Sequence, residues 1–262
     1  MIATPCYRGQ GLGNFLANYV TVRCLALDKE YDFGVQFPEN FKGKDFMKLD
    51  MGLSVLNGVT SVEGQIPDKL PDGFTSYYRE EMIGQGDYDP HIKEIQDNTL
   101  IHGNLQGIEY FKHRRSEIQK WLKVEPLEMS DNICIINFRG GEYKWVKDFF
   151  LHQSYWDRAI EMMIAERQDM QFEVHTDDPV EARKFFPDFP IVSDIAINWR
   201  SIRYAKYLIL SNSSFAILPA WLNDDVKKVI APWGMGRYNT GQWLLSQNYV
   251  PEWTWITNEV GN

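Results

Sequence analysis

Short unbroken apolar runs and helix-spaced apolar stripes follow one another along most of the chain. Residues 1–9 read as a short extended segment running into Gly9-Gln10-Gly11-Leu12-Gly13-Asn14. Leu16, Tyr19, Val20, Arg23 and Leu27 then recur at helical spacing, which predicts a helix over about Phe15 to Leu27. Tyr31 to Phe37 predicts the next strand, so the chain opens as a βαβ-like unit. From Pro38 to about Pro90 the pattern loses periodicity and is rich in Gly, Pro and Asp. That stretch predicts irregular chain with short strands near Ser54 to Val62, suited to a lip or a partner-facing loop. Thr99 to Gly103 predicts a strand, and Gly107 to Phe111 leads into a predicted helix ending near Leu122, with Ile108, Phe111, Ile118 and Leu122 apolar. Val124 to Asp131, with Pro126, is the best linker candidate.

The second half alternates more cleanly. Ile133 to Phe138 is a strand-length apolar run, followed by a helix from Gln153 to about Arg167. Gln171 to His175 predicts a strand, and Pro179 stands where a first helical residue would, with Thr176 or an Asp able to cap. That helix ends near Phe186. Pro190 to Val192 predicts a strand, Ile195 to Ala205 a helix, and Tyr207 to Ser211 a strand. Asn212 to Phe215 opens a helix running to Leu222, and Lys228 to Ala231 is the last predicted strand. Such alternation predicts an α/β fold with a parallel sheet covered on both faces. Two domains are expected, residues 1–126 and 127–262.

Composition narrows the class. With 262 residues, 44% hydrophobic and 24% charged, the chain suits a globular protein with a real core. Aromatics reach 14%, a weak lean toward sugar handling, since rings stack on sugars but also fill cores. A net charge of −9 argues against a nucleic-acid partner, which needs basic clusters. Lys112-His113-Arg114-Arg115 is the densest basic run and reads as an exposed helix face. Cys6, Cys24 and Cys134 are odd in number and lack metal spacing, which predicts free, mostly buried thiols in a reducing compartment. The histidines are scattered singly, with no zinc-type pair. Neither a signal segment nor a membrane-length apolar run is evident. The expectation is a cytoplasmic protein with at most peripheral contact with the inner membrane.

Chemistry concentrates after the strands. The run from Ile133 ends in Asn137-Phe138-Arg139-Gly140-Gly141-Glu142-Tyr143, where a five-donor guanidinium is presented beside two residues without side chains. This predicts room for a large anion next to Arg139, specifically the diphosphate of a nucleotide-sugar. A surface turn with a solvated Arg is the plain alternative. Thr176-Asp177-Asp178 offers carboxylates suited to the N1–H and 2-amino pair of a guanine. Ser211-Asn212-Ser213-Ser214-Phe215 offers hydroxyls and amides at a helix N-terminus, suited to phosphate oxygens. Turn, helix cap and Ser-rich cap are the plain readings of the three loops. In a parallel sheet all of them lie along one edge, where nucleotide sites form.

The order of these segments resembles the α-1,2-fucosyltransferases of glycosyltransferase family 11, within the superfamily carrying a His-x-Arg-x-Gly-Asp type loop. Gly11-Leu12-Gly13-Asn14 is similar to the N-terminal Gly-Leu-Gly-Asn of that family, and Leu105 to Phe111 to its Tyr-Phe region. Thr176-Asp177-Asp178-Pro179 is similar to its Ser-Asp-Asp segment. Ser211 to Phe215 with Ala220-Trp221-Leu222, and Val229-Ile230-Ala231-Pro232, resemble its C-terminal motifs. The resemblance spans roughly residues 9 to 232. It implies a GT-B-like architecture, two Rossmann-like domains facing across a cleft, with residues 1–126 on the acceptor side and residues 127–262 binding the nucleotide-sugar, and an inverting, metal-independent transfer of fucose from GDP-fucose. No cofactor and no metal are then expected beyond the donor substrate.

Carried over residue by residue, Arg139 binds the β-phosphate and stabilises the departing GDP. Asn137, Asp177, Asp178, Ser211, Ser213, Ser214 and Phe215 are expected at the donor, and Gly11, Gly13 and Asn14 at the cleft. Glu142 is the candidate for taking the acceptor hydroxyl proton, or else it orients Arg139 or Tyr143. The chain departs from the family pattern at three loop positions: Asn137 replaces His, Gly140 replaces a second Arg, and Glu142 replaces Asp. It also lacks the family's Trp-Trp-Gly after Phe215. The expected acceptor is a galactoside or a lipid-linked glycan in surface polysaccharide or O-antigen synthesis, joined through an α-1,2 linkage. A transferase for another GDP-sugar, or a non-catalytic nucleotide-sugar or glycan-binding protein, are the alternatives.

Overall fold

The structure is a computed structural model that describes residues 1–58, 67, 69–80, 88–146, 149–236, 244–245 and 248–258. The chain divides into two compact units, Met1–Lys123 and Val124–Asn262. No helix among the described residues is long and apolar enough to cross a membrane.

The first unit holds a five-stranded sheet. Its strands are β1 (Ile2–Pro5), β2 (Phe33–Gln36), β3 (Leu53–Ser54), β4 (Ser76–Arg79) and β5 (Thr99–His102), in the spatial order β3-β2-β1-β5-β4, all parallel. β4 was not expected, and β3 keeps only the start of the strand expected near Ser54 to Val62. The part of that stretch beyond residue 58 lies outside the described residues. Helix α1 runs over Leu12–Lys29, longer at both ends than the apolar stripe predicts. It is buried almost all round from Leu12 to Ala26, whereas Leu27, a member of that stripe, is 47% exposed. A helix with apolar or small residues on every face is a core element, and a single stripe underdescribes it.

Two 3-10 turns, Ile108–Tyr110 and Lys112–Arg114, lead into α2 (Arg115–Trp121), which ends beside the expected Leu122. Ile108, Tyr110 and Phe111 are all buried, and the chain leaves helical geometry at Phe111, at φ −140°. Of the basic run beside it, His113 and Arg114 are bonded to Asp28.

The second unit holds a six-stranded parallel sheet: β6 (Ile133–Phe138), β7 (Gln171–Thr176), β8 (Ile191–Val192), β9 (Tyr207–Ile209), β10 (Lys228–Pro232) and, at the far edge, β13 (Thr254–Ile256). Its helices are α3 (Gln153–Glu166), α4 (Pro179–Phe185), α5 (Ile195–Tyr204) and α6 (Ser214–Leu222). Lys228 to Ala231 is thus not the last strand. Gly234–Gly236 (β11) pairs antiparallel with Leu244–Leu245 (β12), and β13 adds to β10. The spatial order is β13-β10-β9-β6-β7-β8, which in order of appearance is the Rossmann order 3-2-1-4-5-6.

One core cluster runs under this sheet from Cys134, Ile136 and Phe138 to Tyr155, Trp156 and Phe186. Phe138 packs its ring within 5.1 to 6.0 Å of Phe150, Trp156, Phe185 and Phe186. That packing anchors the end of β6, from which the next loop projects. The expected linker is strapped down instead of free: Arg200 donates to Glu125 O and Pro126 O, and Tyr204 to Val124 O. The three cysteines are free and buried.

Candidate functional site

In a Rossmann-ordered sheet the crevice opens where strand order reverses, because the connections leave toward opposite faces there. Here the reversal falls between β6 and β9. Their ends carry Asn137-Phe138-Arg139 and Leu210-Ser211-Asn212. Asn137 and Ser211 are both buried, and Ser211 donates its hydroxyl hydrogen to Asn137 Oδ1 at 2.7 Å. The position held by histidine in the resembled family thus carries a strand-to-strand link.

Arg139 follows directly and remains partly exposed, at 28% of its side chain. It is not free. Its guanidinium forms ion pairs with Asp177 Oδ2 and, at 2.6 Å, with Glu142 Oε1, and lies 5.4 Å from the centroid of the Tyr143 ring. Asp177 uses its other oxygen to accept the Gly140 N–H at 3.0 Å. Both carboxylate oxygens of the expected guanine reader are therefore committed to the Arg139 loop. Glu142, the proposed proton acceptor, contacts Arg139 in the way the orienting alternative describes.

The two glycines serve packing, contrary to the expectation that they leave room for an anion. A Cβ on Gly140 would stand 2.6 Å from Asp178 Cβ, and one on Gly141 only 2.2 Å from Asp177 Oδ2. Gly141 also sits at φ +22°, a backbone state that L side chains rarely adopt. The loop after β6 and the loop after β7 close on one another, and any anion must approach from outside that contact.

Asp178 caps α4, its Oδ1 accepting from the Glu181 N–H at 3.0 Å, while Oδ2 pairs with Lys144. The Lys144 ammonium and the Glu181 amide hold its carboxyl below the usual range, and Asp178 in turn raises Lys144. Lys144 is the part of this constellation that sequence reasoning passed over. Its only signal was position, two residues beyond Glu142 in a loop leaving a buried strand. The cluster sets two cations, Arg139 and Lys144, against three carboxylates, Glu142, Asp177 and Asp178.

The third loop meets the first through Tyr143, whose hydroxyl reaches Asn212 O at 3.5 Å. Ser213 is buried and caps α6, accepting weakly from the Phe215 N–H at 3.4 Å. Phe215 turns its half-buried ring edge-on to Trp199 at 5.7 Å. Ser214 is half-buried at the first turn of α6. Of the expected donor residues, then, Asn137, Arg139, Asp177, Asp178 and Ser211 are tied into one edge of the second sheet. Phe215 serves the packing between α5 and α6.

Gly11, Gly13 and Asn14 belong to the first unit. Gly11 is exposed at the N-cap of α1 with open space around it, and Gly13 is buried. Asn14 accepts from Gln106 Nε2 at 3.0 Å, while Asn18 and Thr21 bond the same loop after β5. Among the described residues, no three His, Cys, Asp or Glu side chains gather as a metal site.

No protein-family model matches the chain, and no curated protein does. Solved structures do. A mutant of Arabidopsis thaliana FUT1 in complex with GDP is similar at TM-score 0.49 and 10% identity, over 88% of this chain and 69% of that one. NodZ alpha-1,6-fucosyltransferase soaked with GDP-fucose is similar at TM-score 0.46 and 12% identity, over 87% of this chain and 93% of that one. The E. coli heptosyltransferase WaaC with ADP is similar at TM-score 0.41 and 9% identity, over 98% of this chain and 93% of that one.

Proposed function

We propose that the chain is a GT-B-type glycosyltransferase that holds the diphosphate of a nucleotide-sugar at Arg139. The observation carrying this reading is the placement of that guanidinium at the strand-order reversal of a Rossmann-ordered sheet. The N-terminus of α6, opened by Ser213 and Ser214, begins the segment after β9 on the other side of the reversal. Amides at a helix N-terminus and a guanidinium are the donors that a diphosphate requires. As the glycosidic bond breaks, charge grows on the leaving diphosphate oxygen, and a preorganised cation stabilises it.

In this reading Asp177 and Glu142 hold Arg139 in place until the donor arrives, and one of them yields to the phosphate. The Asn137–Ser211 link keeps the two strand ends in register beneath the anion. The donor is GDP-fucose, transferred with inversion and without a metal ion to a galactoside hydroxyl in surface polysaccharide synthesis. That finer assignment rests on the order of motifs from Gly11 to Pro232.

The test is calorimetric titration with GDP, GDP-fucose, GDP-mannose and UDP, without metal, on wild type and Arg139→Ala. Removing one partner of a desolvated charge pair should weaken GDP-fucose binding by about 2–5 kcal/mol. Binding of GDP-mannose in preference points to another GDP-sugar transferase. Tight GDP binding without transfer or donor hydrolysis points to a non-catalytic binding protein. Preferential UDP binding, or no dependence on Arg139, overturns the site itself.

A further inference from the structure

The first unit holds a cavity of about 420 Å³ along the second half of α1, lined there by Thr21, Leu25 and Asp28. A crossover helix between parallel strands runs back against them, so this half recedes from the strand ends at which Gly11 opens the helix. At about 1.5 Å of rise per residue, Thr21 and Asp28 stand roughly 15 and 25 Å along the axis from Gly11. The cavity is thus separate from the C-terminal edge of the first sheet.

Its floor is apolar. Leu25, Ile92 and the Tyr110 ring are buried there, and the polar atoms beside them turn inward. Tyr110 donates its hydroxyl hydrogen to Glu80 at 2.5 Å, and Thr21 donates its own to Leu105 O at 3.1 Å. The half-buried Tyr88 ring stands 4.8 Å from that of Tyr110 and forms a second aromatic wall.

The rim is charged, and its ions are unequally matched. Both Asp28 oxygens are engaged, one with His113 at 2.8 Å and the other with Arg114 at 2.7 Å. Glu109 is paired with Lys112 at 2.6 Å. Lys93 is exposed, stands 5.7 Å from the Tyr88 ring centroid, and makes no ion pair among the described residues. The basic run from Lys112 therefore occupies the two acids of the rim and leaves the Lys93 ammonium over an apolar floor.

We propose that this cavity binds a small carboxylate carried on a flat apolar ring, with the ring against Tyr88 and Tyr110 and the carboxylate on Lys93. The volume falls among small-molecule sites, which run to about 300–1,000 Å³. Aromatic walls favour a flat body, and a free ammonium favours an anion. A cation would meet Lys93 and find Asp28 and Glu109 already engaged. A sugar would lose water from its hydroxyls over a floor that offers them no partner. The site shares no residue with the Arg139 cluster, so this proposal and the donor reading can fail separately.

The test follows the imidazole resonances of His113, at the rim, by NMR, assigned with His113→Gln. The probes are benzoate, indole-3-acetate and 2-naphthoate. Benzyl alcohol, benzylamine and inorganic phosphate serve as the neutral, cationic and ring-free controls, at one pH and ionic strength. At least one ring carboxylate should shift His113 saturably, with calorimetry giving its Kd. Lys93→Met keeps the stem and removes the charge; it should weaken that Kd about fivefold while leaving Tm unchanged. Tyr88→Leu, which removes a ring wall, should weaken it as well. No saturable shift with any ring carboxylate, equal binding of benzyl alcohol or benzylamine, a shift with phosphate alone, or a Kd indifferent to Lys93→Met overturns the proposal.

Discussion

Ser211 and Asn137 are joined by a buried 2.7 Å hydrogen bond at the strand-order reversal of the second sheet. Ser211→Ala leaves the Asn137 oxygen buried without its donor, which should cost about 1–3 kcal/mol in urea unfolding. Asn137→Ala and the double variant complete a cycle, and contact pairs of this kind couple by about 0.5–3 kcal/mol. Strict additivity would mean that the two side chains act independently of one another.

The loop glycines separate packing from flexibility. Gly140→Ala places a methyl 2.6 Å from Asp178 Cβ and 3.2 Å from Phe138 Cε1, atoms that cannot swing away. It should destabilise by about 1–3 kcal/mol, as overpacked sites do. Gly11→Ala meets open space and should cost under about 1 kcal/mol, the difference between the two residues at an N-cap. Thermal denaturation of both variants checks the contrast. Equal effects would mean that the Gly140 loop does not sit against the Asp178 loop.

How much of this was legible in the sequence depends on where each partner lies. β6 was readable residue for residue because both faces are buried and its apolar run stops at Arg139. The start of α4 was readable too, since Asp178 and Pro179 carry a local capping signal. β4 and β13 were not readable, being four and three residues long and held by neighbours remote in sequence. The role of Gly140 and Gly141 was misread for the same reason. Their crowding comes from Asp177 and Asp178, which no local pattern connects to them.

Asp178 sets an acid-side dependence. Its folded carboxyl is held below the unfolded range by Lys144 and the Glu181 amide. Its contribution is therefore complete above the unfolded carboxylate pKa and is lost as pH falls through the folded one. Asp178→Ala should cost about 1 kcal/mol at neutral pH, chiefly through the lost cap of α4. That deficit should shrink as both proteins are acidified, read as the difference between their urea midpoints. A deficit independent of pH would assign the effect to packing alone.

His102 sets a dependence of the same direction by the opposite chemistry. Unfolded, its imidazole titrates near 6.5; folded, burial and Arg79 hold it at about 4. Between those values the unfolded chain binds a proton that the folded chain refuses, so stability falls as pH drops from 6.5 toward 4. The shift integrates to at most about 3 kcal/mol, at 1.36 kcal/mol per pKa unit. His102→Phe removes the group from both states and should flatten that part of the wild-type profile. Because the carboxylates titrate alike in both proteins, the wild-type-minus-variant difference isolates the imidazole. A difference that stays level across the window would mean that His102 takes up its proton in the folded chain as readily as in water, and that it is not sealed beside Tyr7.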